Sequence, residues 1–337
     1  MIEITDSPDI KQWSDFVYNH PYGNIFQTPE MAEVYKRTKN YEPITLAAVD
    51  DATDEMLAVL LAVVIKEKGV LGSFSARSVI HGGPLFINDK RGMDAVRILI
   101  EYYDKISRKK SLHTLLRNMY DTSEVLSIFN SAGYKYEDHL NYLIDLNLPT
   151  NDLWGRLYKS RRNGINRAKR RGVIIDEVVN EDAISVMYEL LKETYRDAKI
   201  PFADMSLLQS IFDVLKPKNM AKFFIAKHED KYIGTIVIVI YKDTIFDWYA
   251  GAPRRYSRLC PNDILAWHAI EWGSKNGYRI FDFGGAGNPN EEYGVREFKK
   301  QFGGELMNFG RYMKVYSPIK MKIAEKGFSI YRKMFIK

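Results

Sequence analysis

The stretch Phe281–Gly304 combines an aspartate, a glycine-rich loop and a lysine that could serve acyl-transfer or phosphate chemistry. Gly284 and Gly285 allow the backbone to approach a ligand closely, because glycine has no Cβ. Lys299 follows on a short predicted helix, where a fixed ammonium could stabilise a developing oxyanion. The loop lacks the Gly-Lys-Ser/Thr ending of a phosphate-binding P-loop. Asp282, before the loop, is either a base or an anchor for the loop.

A second stretch, Phe246–Asp263, places a predicted strand, a cationic loop and a helix start in succession. The strand carries Asp247 and Tyr249, and the helix is predicted to begin near Pro261. Loop amides and a helix N-terminus together form an anion site, and three arginines strengthen it: Arg254, Arg255 and Arg258. Asp247 and Asp282 are candidate general bases, with a solvent water as the alternative.

A third stretch, from Lys159 to Arg171, contains seven basic residues and no acidic one. Arg162 and Lys169 share one face of the predicted helix. Cations this dense repel one another, so the pattern favours an anionic partner, and phosphate suits the arginine fork. The alternatives are a solvated basic face and a helix that contacts the phosphates of a nucleic acid.

Other kinds of catalytic centre find no support in the sequence. The six histidines have no metal-ligand spacing, and the single cysteine, Cys260, excludes a disulfide within the chain and is typical of core filling. A Gly-x-Ser-x-Gly nucleophile motif is missing as well. We therefore predict no metal and no permanently bound cofactor.

The elements that must position these residues occur in similar order in both halves of the sequence. A predicted helix, strand and loop at 94–118 correspond to those at 261–284, and each follows a group of strands. This order indicates an α/β (α+β) fold in which each domain has a mixed central sheet flanked by helices. Pro149 marks a boundary, so the predicted domains are 1–150 and 151–317, followed by a tail helix over 318–337.

Composition and charge fit a cytoplasmic protein with an anionic partner. The chain has 337 residues, 46% of them apolar, and a formal net charge of +6. A basic excess favours phosphates, nucleic acid or lipid headgroups without choosing among them. The acidic N-terminus is not a signal peptide, and the apolar run Met56–Ile65 is too short to span a bilayer.

The predicted tail helix, 318–337, is basic and amphipathic. Such a helix either lies on the inner face of the plasma membrane, where it could reach a lipid-linked substrate, or packs on its own domain. The sequence favours neither interpretation over the other.

The three stretches, in this order and spacing, resemble the Fem family of aminoacyltransferases, which build peptidoglycan cross-bridges. The matching segments span nearly the whole chain and are densest from 150 to 316: Phe26-Gln27-Thr28 with Lys36, Leu153-Trp154 with Gly172-Val173, Tyr249-Ala250-Gly251 with Pro261-Asn262, Phe281–Gly285, and Phe298–Glu305.

The resemblance implies two tandem acetyltransferase-like (GNAT) domains that transfer an aminoacyl group from tRNA to a side-chain amine of a cell-wall precursor. Lys36 and a basic residue of the 159–171 helix would match contacts to the precursor phosphates. Lys299 would match the lysine near the reacting ester, and Tyr249 would line the acyl-transfer cavity.

The sequence departs from the family pattern at two points. Only about 20 residues separate the predicted helix 180–196 from the strand 221–227, so the helical-hairpin arm attributed to tRNA contact is missing. Related proteins without the arm acylate amines of surface polysaccharides, with acyl-CoA as a candidate donor. However, the loop Arg254–Cys260 contains no glycine, which argues against a standard CoA pyrophosphate site.

We therefore expect an acyltransferase that acts on an amine of a lipid- or nucleotide-linked glycan or peptide precursor. Arg77, before the turn His81–Pro84, joins Lys36 as a candidate substrate-binding residue of the first half. The first alternative is an acyl-CoA-dependent N-acyltransferase that modifies an amino sugar of a surface polysaccharide. The second is a non-catalytic nucleic-acid-binding protein.

Overall fold

The structure is a computed structural model that describes residues 1–66 and 75–323. The chain forms two units. Unit 1 runs from Met1 to Asp138 and resumes at Phe309, and unit 2 is His139–Asn308. The sequence also predicts a strand over residues 70–74, and this segment and most of the predicted tail helix lie outside the described residues. Within the described residues, no helix is both long and apolar enough to cross a membrane.

Unit 1 contains a mixed sheet in the order β1-β2-β3-β4-β6-β15-β7, with β5 paired to β3. The pair β4–β6 is parallel, and the other pairs are antiparallel. The strands are β1 Ile2–Thr5, β2 Tyr41–Asp50, β3 Met56–Ile65, β4 Arg77–His81, β5 Leu85–Phe86, β6 His113–Arg117, β7 Lys135–Glu137 and β15 Arg311–Val315.

The helices of unit 1 bury one apolar face against this sheet. In the longest, Leu99 and Tyr103 are fully buried and belong to the same core as Leu46 and Leu60 of the central strands. Thr28 caps the second helix, and Pro29 occupies its first turn, where proline is favoured. The helices are α1 Ile10–Asn19, α2 Pro29–Arg37, α3 Lys90–Lys110 and α4 Leu126–Ser131.

Unit 2 contains a second mixed sheet in the order β14-β8-β13-β12-β11-β10-β9. Here the pair β12–β13 is parallel, and its neighbours are antiparallel. The strands are β8 Leu140–Asp145, β9 Ile174–Glu177, β10 Ala221–His228, β11 Lys231–Tyr241, β12 Thr244–Gly251, β13 Ile280–Gly285 and β14 Glu305–Asn308.

The helices of unit 2 are α5 Thr150–Arg156, α6 Lys159–Arg170, α7 Asp182–Asp197, α8 Met205–Val214, α9 Pro261–Lys275 and α10 Gly294–Lys300. The sequence predicts a single helix over 151–171, but the structure has two helices there. The chain breaks at Leu157 and Tyr158, both extended, whereas Gly164 lies inside α6. Gly172 has φ +75° and ends α6, as expected for a glycine after a helix.

Two strands lie in different sheets from those that the sequence indicates. The strand β8, predicted to close the first domain, pairs with β13 and β14 of unit 2. The sequence also predicts one last strand near 305–316. The structure has two strands there, β14 and β15, and β15 pairs with β6 and β7 of unit 1. The division at residues 138/139 and 308/309 thus differs from the predicted boundaries at 150 and 317, because strand alternation identifies a strand but not its sheet.

Candidate functional site

The candidate site lies where the parallel strands β12 and β13 of unit 2 stop pairing. The ladder joins Thr244–Phe246 to Ile280–Asp282. Past this point β12 contains a bulge at Trp248, and Gly285 of β13 pairs with Asn141 of β8. A bulge re-aims side chains and ends regular pairing. The backbone of β13 beyond Asp282 is therefore available to side chains rather than to its neighbour strand β12.

Lys299 forms hydrogen bonds with two backbone carbonyl groups of this part of β13. From α10, its Nζ donates hydrogen bonds to the carbonyl oxygens of Phe283 at 2.5 Å and Gly285 at 2.7 Å. An ammonium has three N–H donors, so one remains for a substrate oxygen. Burial lowers the pKa of Lys299, and the carboxylates of Asp247 and Asp282 oppose that shift.

Asp247 carries the most distinctive carboxyl group of the site. Burial raises its pKa to about 7; Lys299 opposes the shift, and Asp282 adds to it. Within 1–66 and 75–323, its carboxylate has no hydrogen-bond or ion-pair partner. A general base works best when its pKa is near the working pH. Asp247 is therefore the group best suited to accept a proton.

Asp282 is held by its own loop. Its Oδ1 accepts a hydrogen bond from the Gly284 N–H at 2.6 Å and a longer one from Asn141 Nδ2 at 3.4 Å. Burial raises its pKa to about 6, while the Gly284 bond, Lys299 and Asn141 lower it. Gly284 has φ +68°, which favours glycine. Of the two interpretations that the sequence allowed for Asp282, these contacts favour the anchor.

Aromatic side chains surround Tyr249 beside Asp247. The ring of Phe202 packs against Tyr249 with centroids 5.5 Å apart and against Tyr195 at 4.8 Å. Burial raises the pKa of Tyr195, and Asp247 contributes to the shift, so the two groups are close. Tyr188 contacts Phe202 at 5.4 Å. We call Tyr188, Tyr195, Phe202 and Tyr249 the aromatic box. Of its four members, the sequence analysis identified only Tyr249.

A cavity of about 420 Å³ opens at the start of α9 and is lined by Arg161, Arg167 and Arg254. The N-terminal turn of α9 also contributes Asp263, which is buried and forms an ion pair with Arg161. A Cβ at Gly164 would lie 1.9 Å from Asp263 Oδ2. Gly164 thus allows α6 to approach this carboxylate, which explains a glycine inside the helix.

The basic residues that the sequence analysis selected on α6 do not line this cavity. Arg162 donates to the carbonyl of Gly155 at 2.9 Å, and the Lys169 ammonium lies 5.8 Å from the centroid of the Trp154 ring. Both therefore contact α5, and the cavity receives Arg161 and Arg167 of α6 instead. Among the predicted loop arginines, Arg254 lines the cavity, Arg255 pairs with Glu193, and the Arg258 carbonyl accepts from Arg171.

The two predicted binding residues of unit 1 occupy different elements. Lys36 is exposed in the last turn of α2. Arg77 begins β4 and lies close enough to His113 to contribute, after burial, to lowering the pKa of that imidazole. The structure places both in unit 1 and the other candidates in unit 2. Their role in substrate binding remains a prediction.

Unit 1 also has a point where strand pairing stops, and a buried glutamine occupies it. The β3–β4 ladder ends at the pair of Ala62 and Ile80. Gln27 continues it, since its Nε2 donates to the carbonyls of Leu61 at 3.1 Å and His81 at 2.8 Å, and its Oε1 accepts from the Leu61 N–H at 2.8 Å. Gln27, which belongs to one of the segments that resemble the Fem family, therefore has a structural role in this protein.

Metal chemistry has no visible candidate in the part of the chain that the structure describes. No group of three or more His, Cys, Asp or Glu side chains could hold a metal ion there. Cys260 is partly buried at the N-terminus of α9 and packs against the core of unit 2, in agreement with the packing role expected for it.

Comparison with known proteins identifies the fold. Residues 156–300 match the family model Acetyltransf_6, an acetyltransferase (GNAT) domain. No curated protein sequence matches the chain significantly. The match lies within unit 2 and gives that unit an acetyltransferase-like (GNAT) fold. The two mixed sheets, each flanked by helices, agree with the tandem fold that the sequence predicts.

Among solved structures, the chain is similar to FemX, with a TM-score of 0.70 and 16% identity over 96% of this chain and 100% of that one. It is also similar to a tandem GNAT protein from the clavulanic acid biosynthesis pathway, with a TM-score of 0.62, 10% identity and coverage of 94% and 99%. A third similar structure is L-PGS from Bacillus licheniformis, with a TM-score of 0.58, 14% identity and 99% coverage of both chains. The predicted Fem-like tandem organisation is thus confirmed as a fold.

Proposed function

We propose that this protein transfers an aminoacyl group from an activated ester to an amine of a cell-envelope precursor. The observation that carries the proposal is the pairing of Asp247, a carboxyl group without a partner in the described part of the chain and with a pKa of about 7, with Lys299, whose ammonium keeps one N–H free. Acyl transfer to an amine needs these two functions, a base for the amine and a donor for the oxyanion.

The proposed reaction proceeds without a covalent enzyme intermediate. Asp247 accepts a proton from the acceptor ammonium, and the amine nitrogen then forms a bond to the ester carbonyl carbon. The third N–H of Lys299 donates to the oxyanion of the tetrahedral intermediate. The bonded nitrogen still carries one proton more than the amide product, and it releases this proton to solvent. When the intermediate collapses, the carbon–oxygen bond breaks, and the leaving alkoxide takes the proton that Asp247 holds.

The start of α9 supports an ester donor over acyl-CoA. In ordinary acetyl-CoA enzymes, loop amides and a helix N-terminus bind the pyrophosphate. Here the loop Arg254–Leu259 is a 3₁₀ helix without glycine, and the buried carboxylate of Asp263 lies in the first turn of α9. A pyrophosphate bound there would lie against this negative charge. Aminoacyl-tRNA is therefore the proposed donor, and the proposed location is the cytoplasm.

The second candidate function is acyl transfer from acyl-CoA to an amino sugar of a surface polysaccharide. The cavity beside α9 favours it, because Arg161, Arg167 and Arg254 give that cavity three guanidinium groups. A guanidinium group can donate two parallel hydrogen bonds to the oxygens of one phosphate. In this case Arg161 would have to exchange Asp263 for the phosphate.

The acceptor is proposed to be a lipid- or nucleotide-linked precursor. The similarity to the FemX structure and the resemblance of the sequence to the Fem family both support a peptidoglycan peptide as the acceptor. Contact of Lys36 with the precursor phosphates and contact of the 318–337 segment with the membrane surface are parts of this proposal that await a test.

A donor test decides between the two candidates. The purified protein is mixed with a lipid- or nucleotide-linked muropeptide and offered charged tRNA or acyl-CoA in parallel, and the mass of the acceptor is measured. A tRNA-dependent gain supports the proposal and identifies the amino acid, whereas a gain only with acyl-CoA supports the second candidate. Lys299→Met and Lys300→Met serve as the matched pair of variants, because only Lys299 contacts β13. A gain that persists in Lys299→Met would contradict the proposed site.

A further inference from the structure

The loop between β13 and α10, residues 286–293, joins the strand that Lys299 contacts to the helix that carries Lys299. On one side it is bonded to β8, where the Leu140 carbonyl accepts from the Ala286 N–H at 2.5 Å and the Leu140 N–H donates to the Gly287 carbonyl at 2.9 Å. Gly287 has φ +79°, and glycine loses more conformational freedom on folding than other residues. Contacts with neighbouring elements must therefore fix the path of this loop.

Arg296 holds the same loop from the side of α10. Its guanidinium group donates to the carbonyl oxygen of Asn288 at 2.6 Å, to that of Glu291, and at the longer distance of 3.5 Å to that of Ala286. A guanidinium group carries five N–H donors in a rigid planar fork, so one side chain can bond carbonyl groups that lie in different directions. Arg296 thus connects both the beginning and the later part of the loop to α10.

Arg296 and Lys299 are three residues apart, so they share one face of α10. Lys299 bonds the carbonyl groups of Phe283 and Gly285, and Arg296 bonds carbonyl groups that follow them along the chain. The Gly285 carbonyl directly precedes that of Ala286, which Arg296 contacts. A change in the path of the loop would therefore also move an acceptor of Lys299.

The helix α10 depends on such contacts because it is short. It has seven residues, Gly294–Lys300, and none of these seven is fully buried. A helix of this length is not stable by itself. A cation in the first turn of a helix is also disfavoured by the helix dipole. Arg296 lies in that turn, so its contribution to the position of α10 comes from the loop carbonyl groups and not from the helix itself.

We propose that Arg296 is a positioning residue, which holds the loop 286–293 against α10 and so keeps the Lys299 ammonium on β13 with one N–H available to a substrate oxygen. This inference rests on the proposed function, because it explains how the oxyanion donor of that site is held in place. Arg296 acts through Lys299 and has no contact with the reacting atoms in this proposal. Burial lowers the pKa of Lys299. A Lys299 side chain released from β13 would be better solvated, so its pKa would rise.

The pKa of Lys299 tests the inference without any donor or acceptor. Acetylation of the full-length protein with acetic anhydride over a series of pH values, read by tandem mass spectrometry, follows the titration of this one amine. In Arg296→Met the pKa of Lys299 should rise toward the ordinary value of a lysine. Arg296→Lys should give the same rise, because it keeps the positive charge but replaces the fork with a single nitrogen. This variant separates loss of the contacts from loss of the charge.

The control variant is Lys300→Met, which removes an exposed cation from the same helix. It should leave the pKa of Lys299 unchanged. Circular dichroism checks the fold, and if Arg296→Met unfolds, Arg296→Lys takes its place. An unchanged pKa of Lys299 in the folded Arg296 variants would overturn the inference, because a merely structural role of Arg296 would lower stability without altering the titration of Lys299.

Turnover provides the second measurement, with whichever donor supports transfer. Arg296→Met should lower kcat about tenfold to a hundredfold, because a displacement of about 1 Å can cost that much. The acceptor KM should change little. In the Lys299→Met background, the same change at Arg296 should have less than about a twofold effect, because the two side chains act through one interaction. Equal losses in both backgrounds would overturn the inference, since Arg296 would then act independently of Lys299.

The two measurements separate failure of this inference from failure of the proposed function. If the wild type transfers an acyl group but the pKa of Lys299 does not respond to the change at Arg296, the positioning role is wrong and the reaction stands. If the pKa of Lys299 rises in Arg296→Met but no donor supports transfer, Arg296 does hold Lys299 in place and the proposed reaction is wrong.

Discussion

Both units use a side chain to bond backbone groups where strand pairing stops, but the side chain differs. In unit 1 it has a purely structural role, and in unit 2 it is a reactive group. In each unit, strand pairing stops and backbone carbonyls need donors. Unit 1 supplies the neutral amide of Gln27, which makes three hydrogen bonds to backbone. Unit 2 supplies the ammonium of Lys299, with Asp247 and Asp282 close by.

The Gln27 amide of unit 1 has no unused hydrogen-bonding atom and no space beside it. Both polar atoms of the Gln27 amide are bonded, and a Cβ at Gly83 would lie within 2.5 to 2.6 Å of that amide, so there is no room for a ligand atom. In unit 2, one N–H of the Lys299 ammonium and the carboxylate of Asp247 make no hydrogen bond in the described part of the chain. An amide does not titrate, whereas an amine and a carboxyl group exchange protons. The comparison teaches that strand separation alone does not create a site.

The largest expected effect comes from removing the proposed base. Asp247→Asn should lower turnover by about 10² to 10⁴ fold, the range for a general base, because the amide cannot accept a proton. Steady-state kinetics, with whichever donor the parallel test of charged tRNA and acyl-CoA supports, checks this value. Turnover close to that of the wild type would mean that a water molecule serves as the base.

Lys299→Met should have the next largest effect on turnover, a loss of about ten- to a thousandfold, comparable to the loss of one oxyanion donor. The acceptor KM should change little, because the interaction forms in the transition state. Lys300→Met provides the control. A loss confined to KM would place Lys299 in substrate binding.

Gln27→Leu tests the opposite side of the comparison. It leaves one buried N–H and two buried carbonyls without their side-chain partner, so the free energy of unfolding should fall by about 2–4 kcal/mol. Turnover per folded molecule should stay unchanged, because the amide takes no part in proton transfer. Urea unfolding and active-site titration give the two values. A variant of full stability but low turnover would contradict the structural role.

The pH dependence sharpens the role of Asp247. Its pKa of about 7 predicts that turnover falls about tenfold per pH unit below neutrality, as the carboxylate is protonated. Because the pKa is raised, the folded protein binds more protons than the unfolded chain between about pH 4 and 7. Stability should therefore decrease as pH rises through this window. The turnover trend should vanish in Asp247→Asn, and the stability trend should shrink to the part that the raised pKa of Asp282 still contributes.

The smallest expected effect is that of Asp282→Asn. An amide oxygen can still accept the Gly284 N–H, so the loop should keep its conformation and turnover should fall by less than about tenfold. Asp282→Ala, which removes the acceptor, should cost more. If Asp282→Asn were as damaging as Asp247→Asn, the two carboxyl groups would share the role of base.

The sequence predicted the strands and loops of unit 2 more accurately than the side-chain contacts that packing creates between them. Lys299, Asp247 and Tyr249 follow a repeated order of strand, loop and helix, and their elements form as predicted. Tyr195 and Phe202 carry no local signal, because they reach Tyr249 only through the packing of α7 on β12. Hydrophobic periodicity places a helix but not its partner.

The basic helix shows the same limit on a smaller scale. Its composition predicts an anionic partner, but the cavity-facing residues, Arg161 and Arg167, are neighbours of the predicted Arg162 and Lys169. The break at Leu157–Tyr158 determines which face of α6 points toward the cavity. Neither residue type predicts a helix break, so the sequence does not indicate this orientation. Gly164 is explained only by a contact with Asp263, almost a hundred positions further along the chain.

The path of the chain between the sheets has a consequence for synthesis on the ribosome. Unit 2 is one continuous segment, His139–Asn308, so all seven of its strands have been translated before β15 emerges. In unit 1, β15 lies between β6 and β7, so the edge of β6 stays open until residue 315 has left the exit tunnel. The N-terminal half of this protein is thus made first and completed last, and a nascent chain released early would expose an unpaired strand edge.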